Sequence, residues 1–118
     1  MNILTELTAL LTDLEIPFET GHFNGKPTDE YIVIIPISDQ LDLYADNQPQ
    51  AEIQEARLSL YSKGNFMRLR NRLTKALLQA DFTVADRRYI GFEADTKFHH
   101  YIIETQKTYE IPEETGGS

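Results

Sequence analysis

The sequence contains no cysteine in its 118 residues. That absence excludes disulfides, thiolate nucleophiles and thiolate metal sites, and it fits a reducing compartment. No apolar run approaches the roughly 18 residues that a membrane-spanning helix needs, and Met1–Leu14 lacks the basic start of a secretion signal. A chain of this length has enough residues for one hydrophobic core, so we expect one globular domain that makes no contact with a membrane.

Nitrogen ligands for a metal are also scarce. The histidines are His22, His99 and His100. Because neighbouring residues of a strand point to opposite faces, His99 and His100 are badly placed to bind one ion. We expect them to be surface side chains.

Oxygen ligands and nucleophiles follow no known motif either. Asp39, Asp42 and Asp46 lack the glycine and the closing glutamate of a calcium-binding loop, so solvated turn acids are the better interpretation. Ser59 and Ser62 lie on or beside a predicted strand, without the sharp turn that presents a serine nucleophile. The sequence predicts no catalytic residue, no cofactor and no metal, and therefore a protein that is not an enzyme.

Basic residues are nearly missing from the first half of the chain. Residues 1–55 contain eleven acids and one lysine, whereas residues 56–92 contain eight bases and two acids. The whole chain has a net charge of −8, which disfavours non-specific nucleic-acid binding. A chain with an acidic and a basic region can attract copies of itself head to tail. The alternative is that the two regions become interspersed on folding.

Hydrophobic periodicity predicts one helix and two or three strands in the first half. The helix spans Asn2–Leu14, with Asn2 as N-cap, and it ends before Pro17. A buried strand follows at Tyr31–Ile35; Pro36 either stops it or forces a bulge, and Ile37–Tyr44 continues as a short edge strand. The apolar stripe of the helix contains Ile3, Leu7, Leu10 and Leu14, with Leu4 and Leu11 beside them. Turn-forming residues cover Ala45–Pro49.

The second half reads as strand, helix and hairpin. Strand Gln50–Tyr61 alternates, with a bulge near Gln54, and a turn leads to the helix N-cap Asn65. The helix has a buried stripe, and the last two strands are Phe82–Phe92 and Phe98–Tyr109. We expect Arg88, Ile90 and Phe92 on one strand face and Arg87, Tyr89 and Gly91 on the other. The stripe residues are Phe66, Leu69, Leu73, Ala76, Leu77 and Ala80.

The resulting order is α-β-β-β-α-β-β. It predicts an α+β domain over residues 1–110, with a mixed or antiparallel sheet of about four to five strands and both helices packed on one face. Residues 111–118 read as a flexible tail ending in Gly-Gly-Ser, which is typical of an expression scar as well as of a native tail. Tyrosines suit an uncovered outer face of this sheet, or its core. They are Tyr31, Tyr61, Tyr89 and Tyr101.

Bases line one side of the second predicted helix. Arg68, Arg72 and Lys75 follow at spacings of four and three, while Arg70 projects elsewhere. Such a row, with the bases of the neighbouring strands, is typical of a solvated helix face, of a surface that contacts an acidic protein, or of phosphate contacts with nucleic acid. The net negative charge makes sequence-specific nucleic-acid binding the least favoured of the three.

Two long segments resemble small tail-region proteins of tailed phages and prophages, among them the tail terminator, or tail-completion, family. The segments are Asp29–Phe66 and Phe82–Glu110, and with the helices around them the resemblance covers nearly the whole chain. Its cues are YADN at Tyr44–Asn47, LSLYSKGNF at Leu58–Phe66 and RRYIGFE at Arg87–Glu93. None is a catalytic signature, so the resemblance rests on their order and spacing.

The resemblance implies a structural protein that forms a hexameric ring at the head-proximal end of the tail tube and stops tail polymerisation. Its partners would be further copies, the major tail protein and the head–tail connector proteins. It would act in the host bacterial cytoplasm during assembly and then stay in the virion tail or neck. A head–tail connector (stopper or adaptor) subunit is an alternative, and a small ligand-binding module or enzyme without a recognisable motif is another.

A closed ring needs one patch of each copy to meet a different patch of the next copy. The acidic and basic regions of the chain are suitable opposites, because complementary charge sets register and encounter rate. The residues predicted for this contact are Arg68, Arg72, Lys75 and Arg87 on one side and Asp39, Asp42 and Asp46 on the other.

Overall fold

The part of the chain that the structure describes has the predicted α+β architecture, with two helices and a five-stranded mixed sheet. The computed structural model describes residues 2–21, 28–43 and 49–110, so the predicted tail, most of the turn at Ala45–Pro49 and His22 lie outside the described residues. The elements in chain order are α1 (Ile3–Asp13), β1 (Phe18–Thr20), β2 (Glu30–Leu43), β3 (Pro49–Ser62), α2 (Phe66–Gln79), β4 (Thr83–Glu93) and β5 (Phe98–Glu110).

The strands lie in the order β1-β2-β3-β5-β4, and only β1 and β2 run parallel. The two predicted strands Tyr31–Ile35 and Ile37–Tyr44 form one strand, with a register shift between Pro36 and Ser38. The predicted bulge near Gln54 is wrong, because β3 pairs with β5 without any shift and the extra residue at the nearest β2–β3 irregularity, Ile37, lies on β2.

Pro36 can lie inside β2 because the backbone N–H that a proline lacks would point away from β3 at this position. Ile32 donates its N–H to the Pro17 carbonyl, and Gly21 donates to the Ile34 carbonyl, so these residues direct their backbone groups away from β3. Pro36 continues the same alternation. The N–H that it lacks would point to the outer side of the strand, and no bond of the β2–β3 ladder is lost.

Both helices begin at the N-cap residues that the sequence predicted, Asn2 and Asn65. The Asn2 carboxamide oxygen accepts from the Thr5 N–H at 2.9 Å, and Asn65 accepts from the Arg68 N–H at 3.3 Å. α1 ends as Ile16 donates to the Leu11 carbonyl and Glu15 donates to the Thr12 carbonyl, the bonds of a Schellman motif. Both apolar stripes then lie against the sheet.

The core lies between the helices and one face of the sheet. On α1 the buried residues are Ile3, Leu7 and Leu11, while Leu4, Leu10 and Leu14 are only partly buried at the rim of the stripe. The stripe of α2 and alternate residues of the three central strands complete the core. These residues are Leu69, Leu73, Leu77, Ile32, Ile34, Leu58, Leu60 and Ile103.

Lys107 on β5 joins the start of α1 to the end of α2, as expected for an antiparallel helix pair. Its Nζ donates to Glu6 Oε2 at 2.8 Å and to the Ala80 carbonyl at 2.9 Å, and it lies 4.5 Å from the centre of the Phe82 ring. An acid in the first turn of α1 and a cation at the last carbonyls of α2 also suit both helix dipoles.

One expectation about the faces of β4 is wrong. A register shift between Tyr89 and Gly91 takes Ile90 out of the alternation, and Phe92 then contacts His99, on the same face as Tyr89. Tyr89 and Tyr101 both contact Phe66 on the helix side.

We predict that Lys107→Met lowers the free energy of unfolding by about 1–2 kcal/mol, because the Ala80 carbonyl and the Glu6 carboxylate lose their shared donor. Lys97→Met, in the exposed β4–β5 turn, is the matched control and should change it by less than about 0.5 kcal/mol. Urea unfolding of both variants measures the difference. Equal effects would show that Lys107 does not hold the helix layer.

Candidate functional site

The structure brings two of the predicted interface bases together beside β4. Lys75 of α2 and Arg87 of β4 line one open cleft of about 390 Å³, together with Thr74 and the exposed Leu78. The Arg87 guanidinium donates to the Thr74 hydroxyl at 3.4 Å. The cleft is shallow, and its two cations face solvent at the outer edge of the sheet.

Arg68 and Arg72 lie toward the end of α1 and the start of β2. They line a second cleft with Glu30 and Leu69, and Arg72 Nη2 donates to the Leu14 carbonyl at the end of α1. The predicted basic set is therefore divided in two. The three bases of α2 share one side of the helix, but they line clefts formed with different neighbouring elements, which the spacing alone does not show.

The acidic side of the prediction is described only in part. Asp39 lies in the outer half of β2, where it lines a cleft of about 470 Å³ with Glu52, Glu55 and the first residues of α1. Asp42 belongs to β2, and Asp46 lies outside the described residues. Glu52 and Glu55 are acids of this cleft that sequence reasoning did not select, although their position on the strand beside Asp39 was predictable.

Asp39 and Arg87 lie at opposite edges of the sheet. Among the described residues, the salt bridges join Arg57 to Glu104, Arg88 to Asp86 and Glu104, and Lys107 to Glu6. Asp39, Lys75 and Arg87 take part in none of these pairs. Within this part of the chain the acidic and basic edges therefore do not neutralise each other.

Exposed apolar side chains accompany the charges at both edges. On β4, Tyr89, Ile90 and Phe92 are 45%, 51% and 50% exposed, and on β2, Ile37 and Leu41 are 41% and 59% exposed. Sequence reasoning predicted an edge strand at Ile37–Tyr44, but it did not identify the exposed rim of β4, because the alternation of a strand does not tell an edge strand from a central one. Apolar side chains beside unpaired charges are typical of contact surfaces.

The sheet face without helices carries a row of stacked rings. Tyr31 and Tyr61 have ring centroids 4.8 Å apart at 13°, and Tyr61 and His100 have centroids 4.4 Å apart at 14°, while Phe98 meets both tyrosines edge-on. These rings lie on neighbouring strands and cover one another's faces. The row connects β2, β3 and β5 on this face, and its two stacked neighbours cover both faces of the Tyr61 ring, which are then closed to a nucleic-acid base.

The surroundings of His100, one of the rings in this row, lower the pKa of its imidazole. Burial lowers its pKa, the nearby Arg57 lowers it further, and Glu93 opposes both. Its Nε2 is shielded from solvent and makes no hydrogen bond among the described residues. A proton on this ring would therefore enter a poorly solvated site.

The described residues contain no group of three or more histidine or acidic side chains placed to hold a metal ion. None of the helices in this part of the chain is both long enough and apolar enough to cross a membrane.

We predict that His100 makes the protein less stable as pH falls. Because its pKa is lower in the folded state, the unfolded chain binds more protons, and stability is lost below the ordinary histidine pKa of about 6.5. His100→Phe keeps a ring in the stack and should reduce the loss of unfolding free energy between about pH 7.5 and about pH 5.5. Urea unfolding at both pH values gives this loss, and equal losses in the two proteins would contradict the prediction.

The sequence matches no protein-family model, and no curated protein matches it.

Proposed function

We propose that this protein is a structural subunit that assembles with copies of itself into a ring. The single observation that carries the proposal is the placement of Arg87 with Lys75 and of Asp39 with Glu52 and Glu55 at opposite edges of one sheet. Opposite edges that differ in charge favour a heterologous, head-to-tail contact, and such a contact closes into a ring when its rotation permits.

The resemblance of Asp29–Phe66 and Phe82–Glu110 to phage tail-region proteins suggests the assembly in which this ring acts. In this proposal the ring is a tail terminator, which caps the head-proximal end of the tail tube and presents its other side to the head–tail connector. Assembly takes place in the bacterial cytoplasm, and the ring stays in the neck of the virion. The protein acts by contact, and no step of its function requires turnover of a substrate.

The contact between copies also needs apolar area, because charge pairs at an exposed rim add little affinity by themselves. The exposed side chains of β4 and β2 supply that area on both edges. A stable interface buries roughly 1,000 Å² or more, which two strand edges with their flanking side chains can provide.

A charge exchange tests the contact. Arg87→Glu and Asp39→Arg should each weaken association by at least about tenfold, and the double variant should recover it, because the exchanged charges attract again. Lys97→Glu makes the same charge change as Arg87→Glu in the β4–β5 turn, beyond the end of the β4 edge, and should leave association unchanged.

Sedimentation over a range of protein and salt concentrations measures this association, and the wild-type oligomer should weaken as salt rises. Double-variant chains that associate no better than the single variants would contradict a direct pairing of the two edges.

This role in tail assembly is tested with tail tubes purified from the phage or prophage that encodes this chain. We expect the labelled protein at one end of each tube in electron micrographs, and we expect it to stop further growth when major tail protein is added. The Lys97→Glu chain should act like wild type, and the Arg87→Glu chain should not cap. Binding to isolated portal or connector without any binding to tubes would instead indicate the connector function.

A further inference from the structure

Among the residues that the structure describes, no strand pairs with the outer edge of β4. β4 pairs with β5 on one side and is the last strand in the sheet order. Nine of its eleven residues are exposed, which shows that both of its faces meet solvent over most of the strand. Natural sheets usually shorten or cover such an edge, because its free N–H and C=O groups can pair with another strand.

The backbone groups that point outward from β4 can be identified from one hydrogen bond. Since Ile32 donates to Pro17 on the β1 side, its partner Leu60 directs its backbone groups away from β2 and toward β5. Leu60 pairs with Tyr101, which therefore bonds β3 and not β4. Tyr89, the partner of Tyr101 on β4, directs its N–H and C=O to the open edge, as does Arg87 two residues earlier.

At the opposite edge of the sheet, the outer half of β2 also has backbone groups that point outward. β1 covers β2 only at Ile32, Val33 and Ile34. After the register shift, Ser38 pairs with Glu55 and Gln40 pairs with Ile53, so the alternation along β3 makes these the hydrogen-bonded pairs. The residues between them, Asp39 and Leu41, direct their backbone groups outward, where the described residues offer no strand.

We propose, on the basis of the proposed self-assembly, that β4 of one copy pairs with the outer half of β2 of the next copy, so that one sheet continues across the subunit boundary. β2 and β4 run in opposite directions within the sheet. When neighbouring copies are related by rotation about an axis roughly parallel to the strands, each strand keeps its direction. β4 of one copy and β2 of the next are therefore antiparallel. Two open edges are used, and each copy joins one neighbour on each side.

Charge identifies a second copy as the occupant. Arg87 pairs with Ile103 of the helix-side core, and Asp39 pairs with Gln54, which accepts from the Ile3 N–H at the start of α1. Both side chains thus lie on the helix side of the sheet, and in a continuous sheet they can form an ion pair on one face. Arg88 lies on the other face, where Asp86 and Glu104 already bind it.

Cysteine cross-linking tests the pairing, because the native chain has no cysteine. An Arg87→Cys chain is mixed with a differently tagged Asp39→Cys chain and treated with a short thiol cross-linker. We expect a covalent dimer that contains both tags. The control replaces Arg87→Cys with Arg88→Cys, one residue away on the opposite face, and should lose this product.

Amide exchange gives a second test without any substitution. In the monomer the Arg88 amide is protected by β5, while the Arg87 and Tyr89 amides exchange rapidly; assembly should protect Arg87, Tyr89, Asp39 and Leu41. An oligomer in which these amides still exchange rapidly, or in which both cysteine pairs cross-link equally, overturns strand pairing and leaves the ring proposal standing. A strict monomer at every concentration overturns both. Protection that appears only when another protein is added overturns the second copy as occupant.

Discussion

The alternation of backbone hydrogen bonds across the sheet is the constraint on which the account rests. Along a strand, successive residues direct their N–H and C=O groups to opposite neighbours, so one assigned bond fixes the direction of every backbone group in an unshifted ladder. The bond from Ile32 to Pro17 sets that alternation from β2 through β3 and β5 to β4. It places the free groups of Arg87 and Tyr89 at one edge and those of Asp39 and Leu41 at the other.

The helix layer explains why those edges are left uncovered. α1 and α2 cross one face of the sheet as an antiparallel pair, and Lys107 holds the start of one to the end of the other. Two helices bury the central strands, but they leave β4 and the outer half of β2 exposed. The opposite face carries the stacked rings of Tyr31, Tyr61 and His100. A sheet with packed central strands and two exposed edges suits a subunit that assembles with copies of itself.

Local rules predicted much of this fold. The caps Asn2 and Asn65, the apolar stripe of α2 and the order of the elements follow from side-chain chemistry within a few residues, and the structure has them. The stripe of α1 was predicted only in part, because its buried residues follow Leu11 and not Leu10 and Leu14. Pro36 was predicted to stop β2 or to force a bulge; a register shift occurs beside it because its outward position spares the ladder. The predicted bulge at Gln54 was wrong because Ile53 keeps the regular alternation of β3 and lies on the sheet face without helices, where an apolar side chain needs no bulge.

The interface residues show where sequence reasoning reaches its limit. Helical spacing grouped Arg68, Arg72 and Lys75, yet Arg72 is held by the Leu14 carbonyl, while Lys75 lies beside Arg87. That separation depends on which elements lie beside each part of α2, and no local pattern contains this information. Edge position is likewise a property of the whole sheet, so the exposed rim of Tyr89 and Phe92 became visible only in the fold.

The most direct measurement is an electron cryomicroscopy map of the assembled protein, at a resolution that separates strands about 4.8 Å apart. We expect the sheet to continue from each copy into the next, with β4 beside the outer half of the neighbouring β2 and Arg87 on the same face as Asp39. A map in which copies meet through their helices, or through a two-fold contact of identical edges, would contradict this arrangement.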